Sequence, residues 1–481
     1  MNTLRTHGPA RRGARSETST RWVLATLALC ALLPSLGTSI ANVALPNFAQ
    51  IYGAPLPQVQ WVVIAYLLAT TTLVVGAGRL GDIVGRRRLL TLGILLFSLA
   101  SVLCALAPAL PWLIAARALQ GAGAAIMMAL TMTFVAGVVP KEQAGTAMGL
   151  LGTMSAIGTA LGPTLGGALI AGFGWPAIFW VGAPLGLVAW ALVRHVLPAD
   201  RAVSKSGRAG FDAVGTLTLA LSLAAYALAM TLGRGNFGAS NLALLLVAVI
   251  GAGVFLRTQA RASSPLVSPA HLRDTGLQGS LATSAIVATV VMATLVVGPY
   301  YLAGALGLDP VWVGVVMSAG PVAAALAGVP AGRLVDRFGA WRMTVVGLAG
   351  MTLGCVGLSL APATLGIAGY VSAIVITTTH YAVFQTANNT GVMSGIATDQ
   401  RGTVSGLLNL ARNLGLITGA SLMGAIFAFV AGAGDFDGAA PDALTRGMRA
   451  TFGVAALMVA VALALALGAS RRSREDERSG A

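Results

Sequence analysis

Gly78-Arg79-Leu80-Gly81-Asp82-Ile83-Val84-Gly85-Arg86-Arg87 returns later in the chain as Gly332-Arg333-Leu334-Val335-Asp336-Arg337-Phe338-Gly339-Ala340-Trp341. Both stretches read G-R-L-x-D-x-x-G, and each follows a long apolar segment. The two aspartates stand 254 residues apart. That is too long for a solenoid period and suits a chain built of two similar halves. A second stretch tests this. Gln143–Gly162 shifted by 257 falls on Gln400–Gly419, and QAGTAMGLLGTMSAIGTALG against QRGTVSGLLNLARNLGLITG keeps eight identities in twenty. One small loop insertion explains the two offsets.

Of the 481 residues, 56% are hydrophobic and 9% charged, with mean hydropathy +0.83. Soluble domains carry about 25% charged residues, so charge here is confined to loops and ends of a polytopic membrane protein. A crossing takes about 20 apolar residues, at roughly 1.5 Å each through a core of roughly 30 Å. Fourteen such segments are predicted from the sequence. Only helices and closed barrels satisfy their backbone in lipid, and unbroken runs this long mean helices. The predicted fold is therefore all-α. The repeat pairs spans 1–6 with spans 9–14. This gives a basic tail (1–21), a six-helix bundle (22–197), two inserted helices (211–259), a second six-helix bundle (279–470) and a tail (471–481).

The net charge of +15 comes from short loops and not from one continuous face, which argues against a nucleic-acid partner. Basic residues collect on alternate loops, among them Arg86–Arg88, Lys141, Lys205, Arg261, Arg337 and Arg342. The opposite loops hold few, chiefly Arg234, Arg446 and Arg449. Such an excess marks the cytoplasmic side, so both termini are predicted there, in a plasma (inner) membrane. The Arg- and Ser-rich start is reminiscent of a transit peptide. The apolar run that follows, Trp22–Leu45, is too long for a signal core and reads as an uncleaved first span. Cys30, Cys104 and Cys355 lie inside apolar segments and read as small buried hydrophobes, not metal ligands. No metal and no cofactor is predicted.

Over nearly its whole length, from about Trp22 to Gly468, the chain resembles the major facilitator superfamily. Within it the chain is similar to the fourteen-span drug:proton antiporters of the multidrug efflux type. The repeated loop after span 2 carries the resemblance, with three further stretches. These are Asn42-Val43-Ala44-Leu45-Pro46 closing span 1, Arg117-Ala118-Leu119-Gln120-Gly121-Ala122-Gly123 on span 4, and Gly158-x-x-x-Gly162-Pro163-x-x-Gly166-Gly167 on span 5. The resemblance implies two six-helix bundles plus two inserted helices, and export of a small molecule by alternating access in exchange for protons. It also implies that Asp82 touches the start of span 13, near Gly402–Ser405, as a latch made in one state only. A helix N-terminus carries about half a positive charge and favours such a carboxylate.

The residues sort into two sets of candidates. For gating they are Gly78, Asp82, Gly85, Arg86, Gly158, Gly162, Pro163, Gly166, Gly332, Asp336 and Gly339. Glycines allow close backbone approach, and a helical proline removes one backbone bond. The plainer readings are helix packing for the glycines and solvated topogenic charge for Asp82 and Arg86. For the substrate or proton pathway the candidates are Asn42, Tyr66, Arg117, Gln120, His380, Gln385, Asn388, Asn389 and Arg412. An ionisable side chain within a span is functional by default, against snorkelling to an interface. His380 can handle protons, although a lone histidine is most often a packing residue. Arg412 has Ser155 as its repeat-mate, and His380 has Gly123.

All fifteen acidic residues fall in tails, loops or span ends. Relatives that take cations often carry an acid five positions before the span-1 asparagine, and Gly37 stands there. Without a buried carboxylate a lipophilic cation loses its counter-charge, so neutral or anionic substrates are expected. Carboxylate-based proton coupling loses its usual residue. A phosphate loop G-x-x-x-x-G-K-[ST], H-E-x-x-H and C-x-x-C are all missing from the sequence. That leaves a membrane enzyme or a transporter-like sensor as remote alternatives to a monomeric exporter.

Overall fold

The computed structural model describes residues 10–54, 56–59, 61–198, 200, 212–231, 238–262, 273–308, 310–360, 365–397, 400–432 and 440–479. Fourteen long helices follow one another among them. They are α1 (Ala10–Val43), α2 (Trp61–Val84), α3 (Arg86–Ala105), α4 (Leu110–Val138), α5 (Ala144–Phe173), α6 (Gly182–Val196) and α7 (Ala213–Thr231). Then come α8 (Ala239–Arg261), α9 (Thr275–Tyr300), α10 (Pro310–Phe338), α11 (Ala340–Leu360), α12 (Gly366–Ser394), α13 (Arg401–Ala431) and α14 (Pro441–Ser479). The described residues contain no strand. Twelve helices are long and apolar enough to cross a membrane. A thirteenth, α2, is bent by 51° between Trp61–Val74 and Gly76–Val84, and the apolar part of α7, Val214–Met230, is shorter. The outer faces expose large apolar side chains such as Leu92, Leu99, Leu246, Val249, Leu326 and Leu353. Only a lipid surround makes so much exposed apolar surface inexpensive.

The packing repeats itself. Helix α1 lies on α5, α2 on α4, and α3 on α4 and α6. In the same pattern α9 lies on α13, α10 on α12, and α11 on α12 and α14. The two sets meet along α5–α10 and α2–α13. Helices α7 and α8 form a hairpin, tied by Asn241 Nδ2 to the Ala229 carbonyl at 2.7 Å and Ser222 Oγ to the Ala248 carbonyl at 2.7 Å. The hairpin rests on α2 and α13 through α7, where Tyr226 OH bonds Thr418 Oγ1 and Ser421 Oγ donates to the Met230 carbonyl.

One apolar cluster crosses between the halves. It joins Phe134, Val135 and Leu151 of the first to Met393, Val404 and Leu408 of the second. These residues lie towards the end where α2, α4, α10 and α12 finish and α3, α5, α11 and α13 begin, the end that carries both motif copies. At the opposite end the clusters stay apart. One, around Leu36, Phe48, Leu113 and Phe179, belongs wholly to the first half, and one, around Tyr301, Phe427 and Phe452, wholly to the second. Prolines interrupt several helices. They are Pro34 in α1, Pro299 in α9 just before a π-helical turn (Tyr301–Ala305), and Pro321 and Pro330 in α10. Each removes a backbone donor and loosens the ladder locally.

Candidate functional site

At the motif end the second copy's aspartate reaches across the halves. Asp336 accepts from the backbone N–H of Gly145 at 2.7 Å, from that of Thr146 at 2.9 Å and from Thr146 Oγ1 at 2.5 Å. Its carboxylate therefore sits on the positive N-terminus of α5. The matching contact expected of Asp82 falls at the start of α13, near Gly402–Ser405, where Gly402 is described only as part of the helix. Among described residues Asp82 Oδ1 accepts from Arg86 Nε at 3.1 Å and Nη2 at 2.9 Å. Helix α2, which leads into this loop, packs on α13, and burial, with the Arg86 charge adding to it, holds the Arg401 guanidinium below its ordinary value. The Asp336 contact was readable in principle. The shift that aligns Gln143–Thr146 with Gln400–Thr403 turns a contact at one helix start into a contact at the other.

Behind Asp336 the backbones of α5 and α10 nearly touch. A Cβ on Gly145 would stand 2.6 Å from Asp336 Oδ1 and 2.7 Å from the Gly332 carbonyl oxygen, closer than real Cβ atoms come. A Cβ on Gly149 would strike the Gly328 carbonyl. Close approach of this kind needs small residues. The span-5 motif faces elsewhere: Gly158 and Gly162 lie against Leu32–Ser35 and Ser39–Ile40 of α1, within the first half. Gly415 and Gly419 repeat this against Ala285 and Thr289 of α9. Gly78 and Gly166 are buried, and the side chains of Asn42 and Pro163 lie outside those described. Further cross-half hydrogen bonds lie towards the same end: Ser405 Oγ donates to the Ala129 carbonyl at 2.7 Å and Asn409 Nδ2 to Met132 Sδ at 3.5 Å.

Above this seal a cavity opens between the halves, with about 850 Å³ not filled by atoms when its open mouth is included. Its first wall comes from α1, α4 and α5 and presents Met128, Met132, Met148 and Leu151, with Ser35 and Ser155 sharing a hydrogen bond of 2.6 Å. The second wall comes from α9, α12 and α13 and presents Tyr381, Gln385, Asn389, Asn409 and Arg412. Among the described residues no Asp or Glu lines it. The repeat places Met128 opposite Gln385, Met132 opposite Asn389, and Ser155 opposite Arg412 as positional mates. Arg412 is half-buried, and its buried Nε has no hydrogen-bond partner among the described residues. Asn409 and Thr386, also on the lining, are not singled out by sequence, where they are ordinary polar residues within apolar helices.

Other candidates lie away from this lining. Arg117 is fully buried inside the first half. It donates to the carbonyls of Val62 (3.0 Å) and Gly37 (3.1 Å) and to Gln120 Oε1 (2.5 Å), and lies 4.2 Å above the Tyr66 ring. Gln120 passes the chain on to Ser101 Oγ at 2.7 Å, and Tyr66 OH donates to the Pro34 carbonyl at 2.8 Å. This network stitches α1, α2, α3 and α4 together without a carboxylate. His380 faces α11. Its Nδ1 donates to the Ile376 carbonyl at 2.8 Å, and its ring occupies the space left by Gly350. Asn388 ties α12 to α9 through Ser284 Oγ at 3.2 Å and the Ser280 carbonyl at 3.4 Å.

One element escaped sequence reasoning. Asp200, just after α6, accepts from the backbone N–H groups of Arg87 (2.8 Å) and Arg88 (3.1 Å) and so caps α3. Gly85 makes this fit. It sits at φ +109°, where side chains are rarely tolerated, and a Cβ there would be 2.5 Å from Asp200 Oδ2. Among the described residues no cluster of three or more His, Cys, Asp or Glu could hold a metal ion.

Comparison with known proteins agrees with this geometry. Residues 27–420 match the family model described as Major Facilitator Superfamily. The riboflavin transporter RibZ of Clostridioides difficile is 30% identical over 415 residues, 85% of this chain and 88% of that one. The multidrug efflux pump LfrA of Mycolicibacterium smegmatis is 30% identical over 422 residues, 86% of this chain and 82% of that one. The solved structure of the human organic anion transporter MFSD10 superposes with a TM-score of 0.65, at 15% identity, over 93% of this chain and 99% of the other. Repeated halves, sealed motif end, central cavity and sequence matches agree: this multi-pass membrane protein belongs to the Major Facilitator Superfamily, a family of transporters and not of enzymes.

Proposed function

We propose that this chain is a secondary active exporter of small lipophilic compounds, drugs or metabolites, working by alternating access with proton antiport. The observation that carries the reading is a cavity shared between two repeated halves and sealed, among the described residues, at the motif end by Asp336 and the glycine contacts of α5 and α10. A seal of this kind is a conformational latch when it forms in one state and not the other. The bundles 22–197 and 279–470 rock about it, with Gly78, Gly158, Gly162, Pro163 and Gly166 allowing helices to slide. In this reading the chain crosses an inner membrane fourteen times as a monomer, with 211–259 inserted and both termini and the motif end cytoplasmic. The seal then faces the cytoplasm and the cavity faces outward. The relatives RibZ and LfrA support a small organic substrate.

A second reading is favoured by one observation, that no acid lines the cavity among the described residues. It is an exporter of one endogenous anionic or neutral metabolite without ordinary proton coupling. In the first reading the proton must ride on the substrate, on His380 or on Asp82. Flux from proteoliposomes holding only this protein tests both. Under an imposed pH gradient the first reading expects uphill export that a protonophore stops. Downhill flux indifferent to the gradient selects the second. No flux for a panel of neutral, anionic and cationic compounds defeats both.

A further inference from the structure

Arg412 is the feature of the cavity that packing leaves unexplained. It is half-buried and makes no hydrogen bond or ion pair with the described residues, and its Nε is closed off from solvent. The Arg86–Asp82 ion pair is elsewhere, in the first motif loop. Its repeat-mate Ser155 is satisfied by Ser35, so the cation is a departure of the second half alone. A guanidinium enclosed without a counter-charge is unfavourable unless water or an anion reaches it. Water does so while the cavity is open, and closure over the cavity removes it. Its planar fork suits a carboxylate or similar oxyanion, bound through two parallel hydrogen bonds. Beside it Gln385 and Asn389 offer neutral amide donors. Opposite stand Met128, Met132 and Met148, flexible and polarisable side chains that accept apolar bodies of varied outline.

We propose that the transported compounds are amphipathic organic anions held between these walls, the anionic head on Arg412 and the apolar body against the methionines. This rests on the exporter reading and names its substrate class, with Arg412 as the residue that sets specificity. Three probes with one ring system separate the head from the body: 2-naphthoate, 2-naphthamide and 2-naphthylmethylammonium. Thermal stabilisation of the purified full chain in detergent reads binding, and flux from phosphatidylcholine vesicles reads transport. The expectation is saturable stabilisation by 2-naphthoate, weaker by the amide and absent for the ammonium compound. Arg412→Gln should weaken naphthoate binding at least about tenfold, the loss of a hydrogen-bonded charge partner, and leave amide binding within about twofold. Arg412→Lys, which keeps the charge and loses the fork, should retain the preference for the anion and guards against a variant that merely misfolds. Equal stabilisation by all three heads, or naphthoate binding untouched in Arg412→Gln, overturns the proposal, as does failure of naphthoate to bind at all. Displacement of naphthoate by dioctanoyl phosphatidylglycerol would assign the site to a lipid headgroup and overturn the soluble-substrate assignment. Wild-type export of the ammonium compound but not of naphthoate overturns the anion assignment and leaves the exporter reading standing. Arg412-dependent, anion-selective binding with no flux of any probe supports the site and defeats the exporter.

Discussion

Helices α1–α6 and α9–α14 pack in the same order, yet matching positions carry different chemistry. Along the cavity Met128, Met132 and Ser155 of the first half answer to Gln385, Asn389 and Arg412 of the second. Away from the cavity Gly123 answers to His380, each against a glycine of the neighbouring helix, Gly93 or Gly350. In the loops the first copy's Gly85 is locked by Asp200, while Gly339, also at positive φ, meets nothing within 4 Å. Backbone contacts are conserved between the halves where helices must approach closely, as Gly158 and Gly162 on α1 match Gly415 and Gly419 on α9. The faces that look into the cavity are among the places where the halves differ. The two halves share their packing while their cavity walls differ, one richer in methionine and one in polar side chains.

The largest effect is expected where the two motif copies act on the seal. Asp336 takes three hydrogen bonds from the start of α5. Bonds to a charged group contribute about 1.5–3 kcal/mol each. With asparagine still able to accept part of that set, Asp336→Asn should destabilise the sealed state by about 3 kcal/mol, a shift of about a hundredfold in population. Thr153→Cys, on the α5–α10 contact beside Gly328, reports it through labelling by a water-soluble maleimide, since the native cysteines are buried. Labelling should speed up strongly in Asp336→Asn. Asp82→Asn, with its partner Arg86 on its own loop, should abolish transport while the protein still folds and inserts. If only one of the two variants stops flux, the copies are unequal in function.

The skeleton was legible because it is written in composition and repetition. Long apolar runs can only be helices in lipid, and the offsets near 254 and 257 already pair the halves. The rotation of each helix was not legible. A helix that is apolar all round has no polar stripe to show which side faces the partner, so Arg117 and Arg412 look alike as cations within spans. The structure places Arg117 in a core network and Arg412 on the cavity. His380 and Tyr381 show the same limit: neighbours in sequence, they point about 100° apart, one to α11 and one to the cavity. The Asp200 cap was hidden for a different reason. It joins residues more than a hundred positions apart through a loop with no repeat-mate to advertise it.

That cap allows a smaller and cleaner comparison of the two loops. In Gly85→Ala the new Cβ meets both an unfavourable backbone conformation and the Asp200 carboxylate. Strain of about 1–3 kcal/mol adds to loss of an N-terminal cap worth about 1 kcal/mol. Gly339→Ala meets the backbone penalty alone, in open space, about 1–2 kcal/mol for a left-handed residue. Thermal unfolding in detergent should rank Gly85→Ala well below Gly339→Ala, with wild type highest. Asp200→Ala in the Gly85→Ala background should then cost little more, because the contact is already lost. A similar loss for both glycines would mean that the carboxylate contributes nothing and that the loops are equivalent after all.

The smallest effect is expected at His380, where sequence and structure pull apart most. Within a span the residue invites a proton-carrying role. Its ring, however, lies over Gly350 on α11 with Nδ1 donating to its own helix, and the cavity is lined by its neighbours Tyr381 and Phe384. A proton carrier in an alternating-access cycle must meet water from each side in turn, and the cavity is the route that the structure offers. His380→Gly converts the position to what the first half holds at Gly123. It leaves a void, so unfolding should shift down by an amount typical of a partly collapsed cavity, about 1–2 kcal/mol. Flux and its dependence on an imposed pH gradient should stay within about twofold of wild type, well below 1 kcal/mol in rate terms. Loss of the gradient dependence with downhill flux retained would show the opposite: that protons cross the second half by a path through the α11–α12 interface, and that the two halves differ in coupling as well as in the walls they present to substrate.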